Sequence, residues 1–340
     1  MQSPPDPIAR LAAALDAIAD PASGTGLVAA GRAAAPRLTG TTASVILDVT
    51  GYADADRDTV DAAIRAALLA VPGVDTVRIA QTAEKTVRRI VAIGSGKGGV
   101  GKSTLSANIA VALARRGVKV GLVDADIYGP SQPRLMHAAD VKATAHDKRL
   151  IPIMTDYGVP MLSMGQMVDE GRAIAWRGPM VGGALGQLID ADWGDTEILI
   201  LDLPPGTGDV QLSMIAKHKP VGAVIVSTPQ DLALIDATRA IDLFRQASVP
   251  LIGLVENMAG YICPHCGEGS DPFGRGGAEA AAAALAIPFL GRVPLDIAIR
   301  TASDAGTPPA AGDGPEAAAF LKIADGIADW LSPAQPATIS

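Results

Sequence analysis

Cysteine is nearly missing from this chain. There are two in 340 residues, Cys263 and Cys266, and both fall in a single C-x-x-C. A chain this poor in thiols that places both of them three apart has a use for the pair. Aromatic residues are also scarce, at 3% against 49% hydrophobic residues overall. The core must therefore be built from Ala, Val, Leu and Ile, which suits close helix–sheet packing in an α/β protein. No basic run is present and the net charge is −8, which argues against a nucleic-acid partner. No apolar run approaches the ~20 residues needed to span a bilayer. The first ten residues, MQSPPDPIAR, contain no apolar signal core, and Asp6 and Asp16 fit a transit peptide poorly. A soluble, cytoplasmic protein without a membrane partner is expected.

What is present is concentrated between Arg89 and Gly117. The stretch reads as a buried strand (90–93), a glycine-rich loop, and a helix that buries Leu105, Ile109 and Leu113. Arg115, Arg116 and Gly117 suit the end of that helix. Gly96-Lys97-Gly98-Gly99-Val100-Gly101-Lys102-Ser103 fits the phosphate-loop pattern G-x-x-x-x-G-K-[ST]. Glycines let backbone N–H groups curl around phosphate oxygens, and the helix N-terminus adds positive potential. Lys102 is placed to reach the β- and γ-phosphates, and Ser103 to ligate Mg²⁺; Thr104 completes the nucleotide-binding run.

Two carboxylate-bearing strand ends accompany the loop. A strand over 119–123 runs into Asp124-Ala125-Asp126, beside the crevice where doubly wound folds bind nucleotides. A third strand, 197–201, ends at Asp202 and delivers a carboxylate to the Mg²⁺ shell. It continues as Leu203-Pro204-Pro205-Gly206, where stiff prolines and a glycine suit a loop whose backbone N–H approaches the γ-phosphate. Strands at 221–227, 251–256 and 289–294 follow. Asn257 closes the fifth and can bond an adenine edge, with Pro294 and its loop on the other side of the base. No [NT]-K-x-D motif is present, so ATP is favoured over GTP.

Residues 1–85 read as a separate small α+β unit. Ile8, Leu11, Leu15 and Ile18 stripe a first helix, and Val60, Ile64 and Leu68 a second. Strands are expected over 43–49 and 74–79, with a linker over 81–88. The ATPase domain then spans 86–331 and closes with a helix over 315–331 that buries Phe320, Ile323, Ile327 and Leu331. A disordered tail is expected over 332–340.

Three chemistries compete for the cysteines. A thiol–disulfide oxidoreductase places the first cysteine at a helix N-terminus; five glycines and Pro272 between Gly267 and Gly277 leave no helix able to begin there. Zinc and an iron–sulfur cluster each want four ligands, so each needs a second chain and a two-fold axis. Spacing does not separate these two.

Several motifs carry a resemblance. GKGGVGKST, with its second lysine, Lys97, resembles the deviant Walker A loop of the ParA, MinD and nitrogenase-iron-protein group. That resemblance implies a homodimer in which Lys97 reaches the partner's nucleotide, and it implies that Asp126 positions or activates the attacking water. Together with VDADIYGPS, AWRGPMVGGAL, DLPPGTGDVQL, TPQDLAL, ENM and CPHCG, the loop makes the chain from Val91 to about Asp296 resemble the Mrp/ApbC family. The implied function is iron–sulfur cluster carriage: Cys263 and Cys266 of two subunits hold a bridging [4Fe–4S] cluster that is passed to apoproteins. The implied fold is a doubly wound, mostly parallel α/β P-loop NTPase. AVPGVDTVRI, residues 70–79, resembles the small domain of iron–sulfur assembly factors, which usually carries a cysteine after its central strand. Asp48 to Asp54 contains none, so a docking or regulatory role is expected there. The rival reading is a MinD/ParA-like positioning ATPase with a structural zinc Cys₄ site at its dimer interface. It would want a basic amphipathic C-terminus or a basic patch, and the sequence has neither.

Overall fold

The computed structural model describes residues 6–83, 88–127, 129–146, 149–167 and 178–332. Outside them fall the expected tail beyond Ser332, the middle of the expected linker (84–87), Tyr128, and the start of the AWRG motif (175–177). The chain divides into two compact units, Met1–Thr86 and Val87–Ser340.

In the first unit, α1 (Pro7–Asp16) opens with Asp6 accepting from the Ile8 N–H and with Pro7 at the first helical position, both favourable N-terminal choices. β1 (Arg37–Thr39) pairs antiparallel with β2 (Thr42–Asp48). α2 (Asp54–Leu69) then crosses to β3 (Thr76–Thr82), which lies parallel to β2. Leu11, Leu15, Leu47, Ile64 and Leu68 are fully buried in one small core. The expected α1 stripe is too long at both ends. Ile8 is 46% exposed, whereas Ile18, already beyond the helix, is half-buried at the edge of the core that encloses Leu11 and Leu15.

Where the resembled family carries a thiol, this unit holds a polar cluster. The buried Asp20 carboxylate accepts from the Ser23 hydroxyl (2.6 Å), the Ser23 N–H (2.9 Å) and the Tyr52 hydroxyl, and Arg32 lies 4.9 Å over the Tyr52 ring. The Ser23 hydroxyl, then that of Tyr52, hold Asp20 down to about 2 from its ordinary 3.8. A depressed carboxylate contributes stability that is present above its unfolded value and lost as the pH falls through the folded one. Asp20→Asn should therefore flatten the acid limb of unfolding between about pH 4 and 2, read by circular dichroism. An unchanged acid limb would remove Asp20 from that account.

The second unit begins with β4 (Arg89–Gly94), α3 (Lys102–Arg115), β5 (Val120–Asp124) and a single helical turn, α4 (Gln132–Leu135). Next come the hairpin β6 (Thr144–His146) and β7 (Arg149–Ile151), then β8 (Ile153–Met154), β9 (Pro160–Ser163) and α5 (Gly178–Ile189). β10 (Ile198–Asp202), α6 (Asp209–His218), β11 (Gly222–Ser227), α7 (Asp231–Gln246) and β12 (Leu251–Asn257) continue the alternation. A second hairpin, β13 (Tyr261–Ile262) and β14 (Gly269–Ser270), precedes α8 (Gly277–Ala284), β15 (Phe289–Val293), α9 (Ile297–Asp304) and α10 (Pro315–Leu331).

Eight strands form one sheet in the order β15-β12-β11-β4-β10-β5-β9-β8, parallel throughout except for β8 against β9. The six expected strands are present, and β9 and β8 extend the sheet beyond them. Alternate residues of β4 serve opposite cores: Val91 and Ile93 pack with α3 and α10, Ile90 and Ala92 with the layer of α5 to α8. Leu105, Ile109 and Leu113 of α3 are at most 1% exposed, each worth roughly 1.5–3 kcal/mol of burial. The connection from β4 runs past β10 to β5, and the connection from β10 runs back past β4 to β11, so winding changes direction between β4 and β10. The order therefore switches there, which opens a crevice at the carboxyl ends of β4 and β10.

Among the described residues each unit has a hydrophobic core of its own. A chain begun at Thr86 is therefore expected to fold and to bind ATP with the affinity of the full chain, measured by titration calorimetry. An insoluble product, or one blind to nucleotide, would show that the second unit depends on the first.

Candidate phosphate site and thiol hairpin

The loop from Ser95 to Gly101 joins β4 to the N-terminus of α3. It lines a cleft of about 260 Å³ with Lys97, Lys102, Ser103, Thr104, Asp126 and Pro205. A larger groove of about 420 Å³, around Val118 and Trp193 at the opposite ends of the strands, contains none of the expected site residues. Two glycines of the loop are dictated by space. A Cβ on Gly96 would sit 1.9 Å from the Asp236 carbonyl of α7; one on Gly101 would sit 2.0 Å from Asn257 Nδ2. Gly101 also has φ +81°, a conformation glycine adopts at little cost.

Behind the loop lies a buried polar network. Lys102 Nζ donates to Asp202 Oδ1 at 2.6 Å and to the Ser103 hydroxyl at 3.3 Å. Asp202 is fully buried and also accepts from the Ser106 hydroxyl (2.9 Å) and from Gln132 Nε2 (2.8 Å). The Gln132 amide nitrogen faces Asp202 on one side and the Ser103 carbonyl (2.9 Å) on the other, both acceptors, which fixes its orientation. Asp124, the register partner of Asp202 on β5, accepts from the Ser163 hydroxyl (2.9 Å) and from the N–H groups of Ser131, Gln132 and Asp126. Burial, and then the neighbouring Asp202 charge, push Asp124 above the ordinary carboxylate range, against the donors aimed at it. Asp126 Oδ1 accepts from the Gly129 N–H at 3.2 Å, which closes the turn after β5.

The structure thus brings Lys97, Lys102, Ser103, Thr104 and Asp126 to one cleft, with Asp202 under it. The other expected residues stand differently. The Gly206 N–H donates to the Ser95 carbonyl at 3.0 Å, and Asn257 Nδ2 donates to the Val100 carbonyl at 2.7 Å. Pro294 is exposed just past β15. Ser106, Gln132 and Ser163 were not expected. Ser106 had a signal, since four residues after Lys102 on a helix is the same face; Gln132 and Ser163 had none.

The cysteines occupy the β13–β14 hairpin. Cys263 N–H donates to the Glu268 carbonyl (3.0 Å) and Gly267 N–H to the Cys263 carbonyl (2.8 Å), a tight turn that carries both thiols outward. Both are free; Cys263 is half-buried and Cys266 exposed. The N–H of Cys266, then that of His265 and the Cys266 thiol, lower the Cys263 thiol below its ordinary value, so the turn favours a thiolate. Among the described residues, no group of three or more His, Cys, Asp or Glu is placed to hold a metal ion. No helix starts at Cys263. One does begin at the far edge of the glycine-rich stretch: α8 opens at Gly277 behind the left-handed Gly276, against the expectation of none. It lies eleven residues past Cys266, too far to act on either thiol.

Comparison with known proteins adds two kinds of finding. Residues 86–328 match the family described as NUBPL iron-transfer P-loop NTPases, and residues 8–79 the family of iron–sulfur cluster assembly proteins. The chain is 44% identical over 305 residues to the iron–sulfur cluster carrier protein of Deinococcus radiodurans, covering 87% of each. Among solved structures, a nucleotide-binding protein from Archaeoglobus fulgidus in complex with ADP superposes with a TM-score of 0.60 at 37% identity, over 68% of this chain and 91% of that one. The cell-division ATPase MinD of Pyrococcus furiosus superposes with a TM-score of 0.54 at 27% identity, over 71% and 99%. Among the described residues, no helix is long and apolar enough to cross a membrane.

Proposed function

The chain belongs to the NUBPL iron-transfer P-loop NTPase family, and from that premise we propose that it is an ATP-dependent carrier of a [4Fe–4S] cluster held between two subunits. The observation that carries the reading is the thiol hairpin. One chain offers two free, outward thiols in a turn that favours thiolate, and no third ligand beside them among the described residues. A cluster with four cysteine ligands then needs the same pair from a second copy, related by a two-fold axis. The cluster is cargo, delivered to apoproteins.

The nucleotide part rests on the phosphate cradle. Backbone N–H groups of residues 98–104 and Lys102 would take the phosphates of ATP, and the Ser103 hydroxyl would hold Mg²⁺ with Asp202 behind it. Lys102 leaves Asp202 to do so, a local exchange of one anion for another. Asp126, at the cleft wall, orients the attacking water. Lys97 is half-buried at the mouth of the cleft and makes no ion pair among the described residues, which suits a cation offered to the partner's phosphates. Asn257 and Pro294 border the adenine side.

The test is reconstitution of the full chain with iron and sulfide under anaerobic conditions, followed by transfer to an apo-form [4Fe–4S] enzyme. A broad visible absorption and recovery of the recipient's activity are expected. Tight zinc uptake with no chromophore would overturn the carrier reading in favour of a structural Cys₄ site.

A further inference from the structure

The two loops of the proposed function are joined by one side chain. Asn257 is the last residue of β12, and its buried amide donates across the sheet to the carbonyl of Val100 inside the phosphate loop. In a trans peptide the carbonyl and the following N–H point in opposite directions. Holding the Val100 carbonyl toward Asn257 therefore turns the Gly101 N–H away from it, to the opposite side of the loop. The contact is close enough that Gly101 has no room for a Cβ on that side.

On its other side Asn257 begins the segment that carries the thiols. Met258 follows in the left-handed region, φ +59°, an uncommon backbone for a residue with a side chain. The Ala259 N–H donates to the Val293 carbonyl and the Leu295 N–H to the Gly260 carbonyl, so residues 259 and 260 are tied to the end of β15. The return of the segment is fixed at the same place. Buried Glu256, next to Asn257, accepts from the N–H groups of Gly276 (3.2 Å) and Ala278 (2.8 Å) and from Arg292 Nε (2.9 Å). Both ends of the cysteine-bearing segment thus converge on the strand end whose side chain holds the phosphate loop.

From this junction we infer that Asn257 is a positioning residue that couples occupancy of the phosphate loop to the conformation of the thiol hairpin. A phosphate drawing on the loop N–H groups shifts the Val100–Gly101 peptide. Asn257 must follow it or lose its bond, and the strained Met258 is where the segment yields. This rests on the reading of the two loops as nucleotide and cluster sites. Coupling between sites is a free energy that acts in both directions, so loading the hairpin should also alter nucleotide affinity.

The experiment uses the full, reduced chain without cluster, at fixed pH. The rate of alkylation of Cys263 and Cys266 by iodoacetamide is measured with and without Mg-ADP at a concentration shown by calorimetry to saturate each protein. Mg-ADP is expected to change the parent's rate about fivefold, the low end for coupled sites. In Asn257→Ala, and in the isosteric Asn257→Asp, which cannot donate, the change should fall below about twofold although ADP is bound. A parent whose thiols ignore bound ADP, or an Asn257→Asp protein with the parent's full response, would overturn the coupling. A parent that binds no ADP would overturn the nucleotide reading itself, and one that takes up no cluster on reconstitution would overturn the carrier reading; both differ from loss of coupling.

Discussion

Replacing Cys263 or Cys266 with serine is expected to abolish the visible chromophore of the reconstituted protein and its bound iron, while ADP affinity stays within about twofold. In the proposed bridged cluster each hairpin would provide two of the four thiolates, so one substitution would remove two of four ligands. A serine hydroxyl, with its much higher pKa, does not replace a thiolate at neutral pH. Folding should be untouched, because Cys266 is exposed and the two hydrogen bonds of the turn are made by backbone atoms. A cysteine variant that still holds a full cluster would contradict the ligand assignment.

The second large effect lies in the cleft. Lys102→Ala should weaken ATP binding by about 100-fold or more, the loss of charge-assisted bonds of roughly 3 kcal/mol. It should also cost about 3 kcal/mol of stability, because Asp202 is left buried with only the Ser106 and Gln132 donors to balance its charge. Adding Asp202→Asn should restore most of that stability and none of the binding, which separates the two losses. Asp126→Asn should behave differently: ATP binding kept, turnover lowered by about 10²–10⁴-fold, as expected for loss of a water-orienting carboxylate. Turnover at the parent rate in Asp126→Asn would remove that residue from the chemistry.

The elements that could be read from the sequence are those whose signal is local. The phosphate loop is eight consecutive residues with a fixed chemistry, and the strands of the central sheet are apolar runs buried on both faces. β8 and β9 escaped because they are two and four residues long and lie at the sheet edge, where neither length nor alternation marks a strand. The resting partner of Lys102 escaped for another reason. Asp202 is 100 positions away, and nothing in either motif says that the two charges neutralise each other inside the protein. Asn257 shows the same limit more sharply. Its place at a strand end suggested an adenine contact and gave no sign of the bond its amide makes to Val100, 157 positions earlier, an arrangement visible only once β12 and β4 stand on either side of β11. The α1 stripe erred in the opposite direction: helical spacing is compatible with burial but does not ensure it, and Ile8 is left 46% exposed among the described residues.

The central claim is that one cluster is shared by two chains. Its most direct measurement is native mass spectrometry of the anaerobically reconstituted full chain, with iron and sulfide assayed on the same sample. The account predicts a dimer carrying about four irons and four sulfides per two chains, which falls to monomers when the cluster is chelated. A monomer carrying a complete cluster, or a dimer with four irons on each chain, would contradict it.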